Sequence, residues 1–217
     1  MFTQDPPNRQ ARRESKRSAV LSVARSLLAS VGYEDLSLRA VARGAGISPA
    51  GMYELFESKE ALLDAMGAAS SAAMSRSLRA AARTAAAPCD RVVAIGLAYV
   101  RFARRQKDDF LSMFTRSRSP RRSLDQDVPA DSPYALMRSA VAELLDPKTL
   151  QRADPRTLEG FTYGFWSLVH GMAMLQLTTL AGFHGDFDEA GQLVLRAYAS
   201  SLSSWKPRAR SAKSRCK

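Results

Sequence analysis

Residues 37–66 read SLRAVARGAGISPAGMYELFESKEALLDAM. Ser37 can cap a short helix that turns Leu38, Val41, Ala42 and Ala45 inward, because its hydroxyl accepts a bond from an amide that the first helical turn leaves unpaired. Gly46 then permits the tight turn a helix-turn-helix requires, and Ile47 anchors it. Ser48-Pro49 starts a second helix for a physical reason: Ser caps it, while Pro, lacking an amide hydrogen, fits the first helical position. This helix is expected to run to about Phe56, with Met52, Leu55 and Phe56 toward a core and Ala50, Gly51, Tyr53 and Glu54 outward. Small outward residues let a helix come close to a groove. Ser58 caps a further helix through Leu62, Leu63 and Met66 and sets Lys59 at its positive end, where cation and helix dipole both attract phosphate.

Upstream, Val20, Ala24, Leu27, Leu28 and Val31 form one helical stripe, and Gly32 follows where a left-handed residue ends a helix. The three helices make one compact unit. Ahead of it, Arg9, Arg12, Arg13, Lys16 and Arg17 are opposed only by Asp5 and Glu14, giving a basic arm over residues 1–18 that can reach along or into a minor groove or stay solvated.

The 217 residues carry 32 Lys+Arg against 21 Asp+Glu, a net charge of +11, which favours a polyanionic partner such as nucleic acid or an anionic membrane surface. Cys89 and Cys216 stand too far apart in sequence, and in the wrong company, for a disulfide framework or zinc-ligand spacing, so neither a metal nor another cofactor is expected. No stretch approaches the roughly 18 apolar residues of a membrane span and no leader pattern is present, which points to a cytoplasmic protein. Apolar residues recur at helical spacing and strand alternation is missing, so the fold class is all-α, with about nine helices.

The segment over residues 17–66 resembles the TetR family of transcriptional regulators, in Gly32-Tyr33, Ser37-Leu38-Arg39, Ile47-Ser48-Pro49, Tyr53 to Phe56 and Ser58 to Leu62. The resemblance implies that Ser37, Ser48, Tyr53 and Lys59 hold phosphates of double-stranded DNA, while Arg39, Ala50, Gly51 and Glu54 face base edges or sugars. Glu54 and Leu55 depart from the family, which more often has basic or amide side chains here. Glu54 either accepts from a cytosine amine in the major groove or pairs within the chain with Arg43 or Lys59.

Past residue 66 an Ala-rich helix is expected to end before Pro88. It is followed by a helix bearing Val92, Ile95, Tyr99, Phe102 and Ala103, then a short one with Phe110, Met113 and Phe114. Residues Arg116 to Pro133 shift to Ser, Arg, Asp and Pro and read as an exposed loop. Helices resume over Tyr134 to Leu145, and again from an Asp154 cap and Pro155 to about Leu180. This last one is apolar around much of its circumference: Phe161, Phe165, Leu168, Met172 and Leu175 fall on one face, Tyr163, Trp166, His170, Ala173 and Leu177 on another. A closing helix from about Asp186 carries Phe187, Ala190, Val194, Ala197, Tyr198, Leu202 and Trp205, a surplus that self-association would cover. The tail from residue 205 is basic and reads as disordered.

Trp166, His170 and Gly171 are similar to the signature of the WHG subfamily of TetR C-terminal domains, with Gly171 expected to permit close helix approach. What the resemblance implies is a homodimer through the last two long helices, a palindromic operator with half-sites about 34 to 36 Å apart or a multiple, and repression relieved by a small effector. Phe102, Phe110, Met113, Phe114, Met137, Phe161, Trp166 and His170 are the candidate lining of an apolar effector pocket, though each is also an ordinary packing residue. The domains are accordingly read as 19–66 for DNA and 67–204 for effector and dimerisation, with a tail over 205–217. An enzyme would have to be built on Cys89, His170 and His184, which lack any triad spacing or phosphate loop. A basic protein that binds membrane or RNA is the other rival.

Overall fold

The computed structural model describes residues 7–114, 128–154 and 156–207. The basic tail beyond Pro207, most of the Arg116 to Pro133 loop and Pro155 lie outside the described residues. Ten helices and no strand occur among the described residues: α1 (Pro7–Asp35), α2 (Leu38–Gly44), α3 (Pro49–Tyr53), α4 (Lys59–Arg83), α5 (Pro88–Arg105), α6 (Lys107–Phe114), α7 (Pro133–Leu144), α8 (Pro147–Arg152), α9 (Thr157–Leu177) and α10 (Phe187–Ser203). The chain divides into two compact units, one of residues 1–71 with 106–117, the other of 72–105 with 118–217.

In the first unit, Val20, Leu21 and Ala24 of α1, Leu36, Leu38, Val41 and Ala42, Met52 and Phe56, and Leu62, Leu63 and Met66 of α4 form one buried core. Leu27, Leu28, Ile47 and Leu55 pack on its edge. Val31, expected on the inward stripe, is 44% exposed, because the chain bends at Gly32 (φ 77°), a backbone conformation that only glycine adopts cheaply. Leu36, beyond the bend, fills the core instead. The arm read ahead of the first helix is itself helical from Pro7, continuous with α1.

In the second unit α5, α7, α9 and α10 pack together. Gly96 of α5 sits tight against α9 and α10: a Cβ there would stand 2.7 Å from Leu195 and 3.2 Å from Val169. Gly171, expected to play that part, would meet nothing within 4 Å. The Asp154-capped helix begins later than the sequence suggests, at Thr157, since Asp154 spends its carboxylate on the Arg156 amide at 2.8 Å, and it ends at Leu177. The sequence reading also passes over α8, capped by Asp146 through the Thr149 amide at 2.7 Å. On α10 the buried face is Gly191, Leu195, Ala199 and Leu202, so Ala190, Val194 and Ala197 are exposed. Trp205, placed in the tail, packs edge-on against Phe161 with ring centroids 5.2 Å apart.

Candidate nucleic-acid interface

Three hydroxyls set the helix starts of the first unit. The Ala40 amide donates to Ser37 Oγ at 3.2 Å, Gly51 to Ser48 Oγ at 3.1 Å and Ala61 to Ser58 Oγ at 3.0 Å. A hydroxyl that accepts at a cap keeps its own O–H to donate, which suits Ser37 and Ser48, both exposed, to a phosphate oxygen. Between α2 and α3 the turn is closed by the Ile47 amide on the Ala42 carbonyl at 3.0 Å, with Gly46 at φ 64°. The helix after Ser48 is shorter than its sequence suggests: it stops at Tyr53, and the Leu55 and Phe56 amides both turn back to Met52.

Arg39, Ala50, Tyr53 and Glu54 are exposed, Tyr53 by 55%. Gly51 is not. It is buried, and a Cβ on it would lie 3.3 Å from both Lys16 Nζ and Ser48 Oγ, so the lysine of α1 lies over the place where the sequence reading put a base contact. Lys59 is also committed. Its ammonium donates to the carbonyls of Tyr33 at 2.5 Å and Glu34 at 3.3 Å and sits 4.4 Å above the Tyr33 ring. A cation at the carbonyl end of a helix is favoured by the helix dipole, and the ammonium has three protons to give.

Among the described residues neither Arg43 nor Lys59 forms an ion pair with Glu54. Glu54 and Leu55 instead line an open groove of about 450 Å³ with Arg9, Arg12, Arg13 and Lys16 of α1. Those cations were legible only as charge. Their i, i+3, i+4, i+7 spacing is the signal that would have placed them on one face of a helix. Next to them, Arg17 stands 4.7 Å over the Phe56 ring.

The candidate effector residues are divided. Phe110, Met113 and Phe114 belong to α6 and the first unit, where Phe110 is fully buried and stacks at a tilt on Phe114, centroids 5.1 Å apart. Asp109 beside them takes Arg25 of α1 at 2.7 Å and the buried Ser70 hydroxyl of α4 at 3.0 Å. In the second unit Phe102 and Met137 are buried core, while Trp166 and His170 join a hydrogen-bonded cluster. Trp166 Nε1 donates to the Tyr99 hydroxyl at 3.3 Å, and that hydroxyl lies 3.0 Å from His170 Nδ1. Burial pushes the Tyr99 phenol well above its usual range, so it stays protonated within this cluster. Burial likewise lowers the His170 imidazole below its ordinary value of 6.5, which favours the neutral ring. Tyr134 packs edge-on against Trp166 and donates to Glu159 at 2.9 Å, and Arg138 pairs with the same carboxylate.

Among the described residues no group of His, Cys, Asp or Glu could hold a metal ion, and no helix is long and apolar enough to cross a membrane.

Residues 20–66 match the model of the bacterial regulatory proteins, tetR family, and residues 92–198 match that of the tetracyclin repressor-like C-terminal domain, together more than half of the chain. No curated protein matches. Among solved structures, a protein of unknown function from Rhodococcus sp. RHA1 is similar with a TM-score of 0.68 and 23% identity, over 87% of this chain and 96% of its own. A TetR family transcription regulator from Marinobacter aquaeolei VT8 is similar with a TM-score of 0.63 and 17% identity, over 87% of this chain and 97% of its own. A bacterial regulatory protein in the tetR family from Rhodococcus RHA1 gives 0.61 and 16%, over 86% and 96%. At these identities the likenesses show the fold.

Proposed function

Because the chain belongs to the TetR family and is a DNA-binding transcriptional regulator, we propose that it is a cytoplasmic repressor that binds a palindromic operator as a homodimer and leaves it on binding a small apolar effector. The observation that carries this reading is the capped turn between α2 and α3, with Arg39, Ala50 and Tyr53 exposed around it. Ser37, Ser48, Tyr53 and Lys59 hold phosphates and so set register, while Arg39 and Ala50 meet base edges. Lys59 does this with the proton its two carbonyl partners leave over.

Dimerisation is supported by the apolar side chains that the second unit leaves outside: Tyr163 and Leu175 on α9 and Leu193 and Val194 on α10, Leu193 by 70%. DNA binding falls to residues 19–66 and dimerisation and effector binding to 67–204. We assign the latter to the WHG subfamily on the Tyr99, Trp166 and His170 cluster. Within the second unit, Phe102, Met137, Phe161 and Trp166 give an effector apolar surface and His170 a polar handle. An effector that binds better when the two reading heads are wrongly spaced lowers DNA affinity by that difference.

The test is selection of duplexes from a random library by the purified full-length protein, with its sedimentation measured in parallel. An enriched inverted repeat with half-sites about 34 to 36 Å apart, or a multiple, is expected from a dimer. No enrichment over input, or a strict monomer, would sink the reading. Lys59→Ala and Tyr53→Phe should weaken all duplexes alike, since phosphates carry no sequence.

A further inference from the structure

Ahead of residue 20, where the family match begins, α1 carries Arg9, Arg12, Arg13 and Lys16 on one face. At 3.6 residues per turn the acid among them, Glu14, falls roughly 140° round the helix from Arg9. Two basic side chains anchor the extension: Lys16 lies on Gly51 and Arg17 on the Phe56 ring, so it is packed against the segment that follows Ser48. Facing them across the groove is one carboxylate, Glu54, exposed and forming no ion pair among the described residues.

Cations of one sign spread over about 10 Å of helix attract a row of anions, and a DNA strand offers a phosphate about every 3.4 Å. The extension does not suit a minor groove. A helix with its side chains is about 10 Å across and that groove about 6 Å wide, so the row of cations fits better along the sugar-phosphate backbone. The geometry points to a second DNA-backbone groove between the α1 extension and Glu54, in which Glu54 is a built-in counter-charge that lowers affinity for every duplex and reads no base. Without DNA, Glu54 offsets the field of the four cations. When a phosphate enters, the carboxylate repels it, which lowers affinity for operator and random duplex alike while the base-reading residues are untouched. This rests on the DNA-binding reading above.

The test is binding of full-length protein to a fluorescently labelled random-sequence duplex across a salt series. Glu54→Gln is expected to tighten this binding about two- to fivefold at low salt, as removal of one exposed charge would, with base preference in a library selection unchanged. The Arg12→Ala, Arg13→Ala, Lys16→Ala triple variant should flatten the salt slope by about 3, close to 0.9 for each phosphate no longer neutralised. Should the triple variant lose its helical circular dichroism, Arg13→Ala alone decides, with an expected flattening of about 1. Unchanged random-duplex affinity in Glu54→Gln would overturn the counter-charge, and a changed preference confined to one base pair would overturn it in favour of the cytosine contact. Wild-type slopes in the Arg and Lys variants would overturn the groove alone, whereas a wild-type protein that binds no duplex would overturn the function itself.

Discussion

The two compact units are built from the same element and put their informative side chains on opposite sides of it. In the first, a small core of Val, Leu, Met and Phe holds short helices whose starts are set by Ser37, Ser48 and Ser58, and the residues with chemistry, Arg39, Tyr53 and Glu54, are exposed. In the second, Trp166, Tyr99 and His170 turn inward and bond one another, and the side chains left outside on α9 and α10 include the large apolar Tyr163, Leu175, Leu193 and Val194. A surface built for phosphate must keep its donors wet and its helix ends firm. An interior built around rings must give each buried N–H and O–H a partner, or lose about 1–3 kcal/mol for each one left over.

The contrast is broken most severely at Phe165, which is fully buried in α9 and packs on Tyr198. Phe165→Ala should cost about 3–5 kcal/mol by leaving a cavity where the side chain cannot be replaced. Both tryptophans, Trp166 and Trp205, lie in the second unit, so the urea transition followed by their fluorescence reports this loss. A variant as stable as the parent would mean that the ring does not anchor the unit. In the first unit the counterpart is Ser48→Ala, expected to cost only about 1 kcal/mol in the transition followed by circular dichroism, because one capping bond to Gly51 is lost. The same change should weaken duplex binding out of proportion to that small loss, since it also removes the hydroxyl proposed to donate to a phosphate. Equal binding by the variant would confine Ser48 to its cap.

The smallest effect sharpens the comparison through pH. His170 is held below its ordinary value of 6.5 by burial, so the folded chain takes up its proton later than the unfolded one as pH falls. The stability contributed is complete above 6.5 and is lost as the pH drops from there through the lowered value. The fluorescence-detected urea midpoint should therefore fall between neutral and mildly acidic pH in the parent, and fall less in His170→Gln. Parallel pH curves for the two proteins would remove His170 from the account.

What could be read from the sequence is what short-range bonding decides. Ser37, Ser48 and Ser58 cap where their spacing to a free amide predicts, and Gly46 turns where only a glycine turns cheaply. What could not be read is what other helices decide. The α10 stripe of Ala190, Val194 and Ala197 and the buried one of Gly191, Leu195 and Ala199 differ by a residue or two, and only the position of Gly96 and Val169 on α5 and α9 chooses between them. Gly51 looked like an open face because Lys16, thirty-five positions away, is what covers it. Lys59 looked like a waiting cation, but the end of α1 comes back to meet it. The Asp146-Pro147 start of α8 was legible by the same rule as Ser48-Pro49 and was hidden only by the brevity of the helix.

One arrangement bears on how the protein can be taken apart. Helix α6 counts with the first unit although the residues before and after it count with the second, and its Asp109 holds both Arg25 and Ser70 while Phe110 beside it is fully buried. The first compact unit is thus not one uninterrupted stretch of the sequence. A fragment cut after Ser71 would contain every residue of the family motif and still lack the acid that its arginine and buried serine share, so a minimal version must splice residues 106–117 back in.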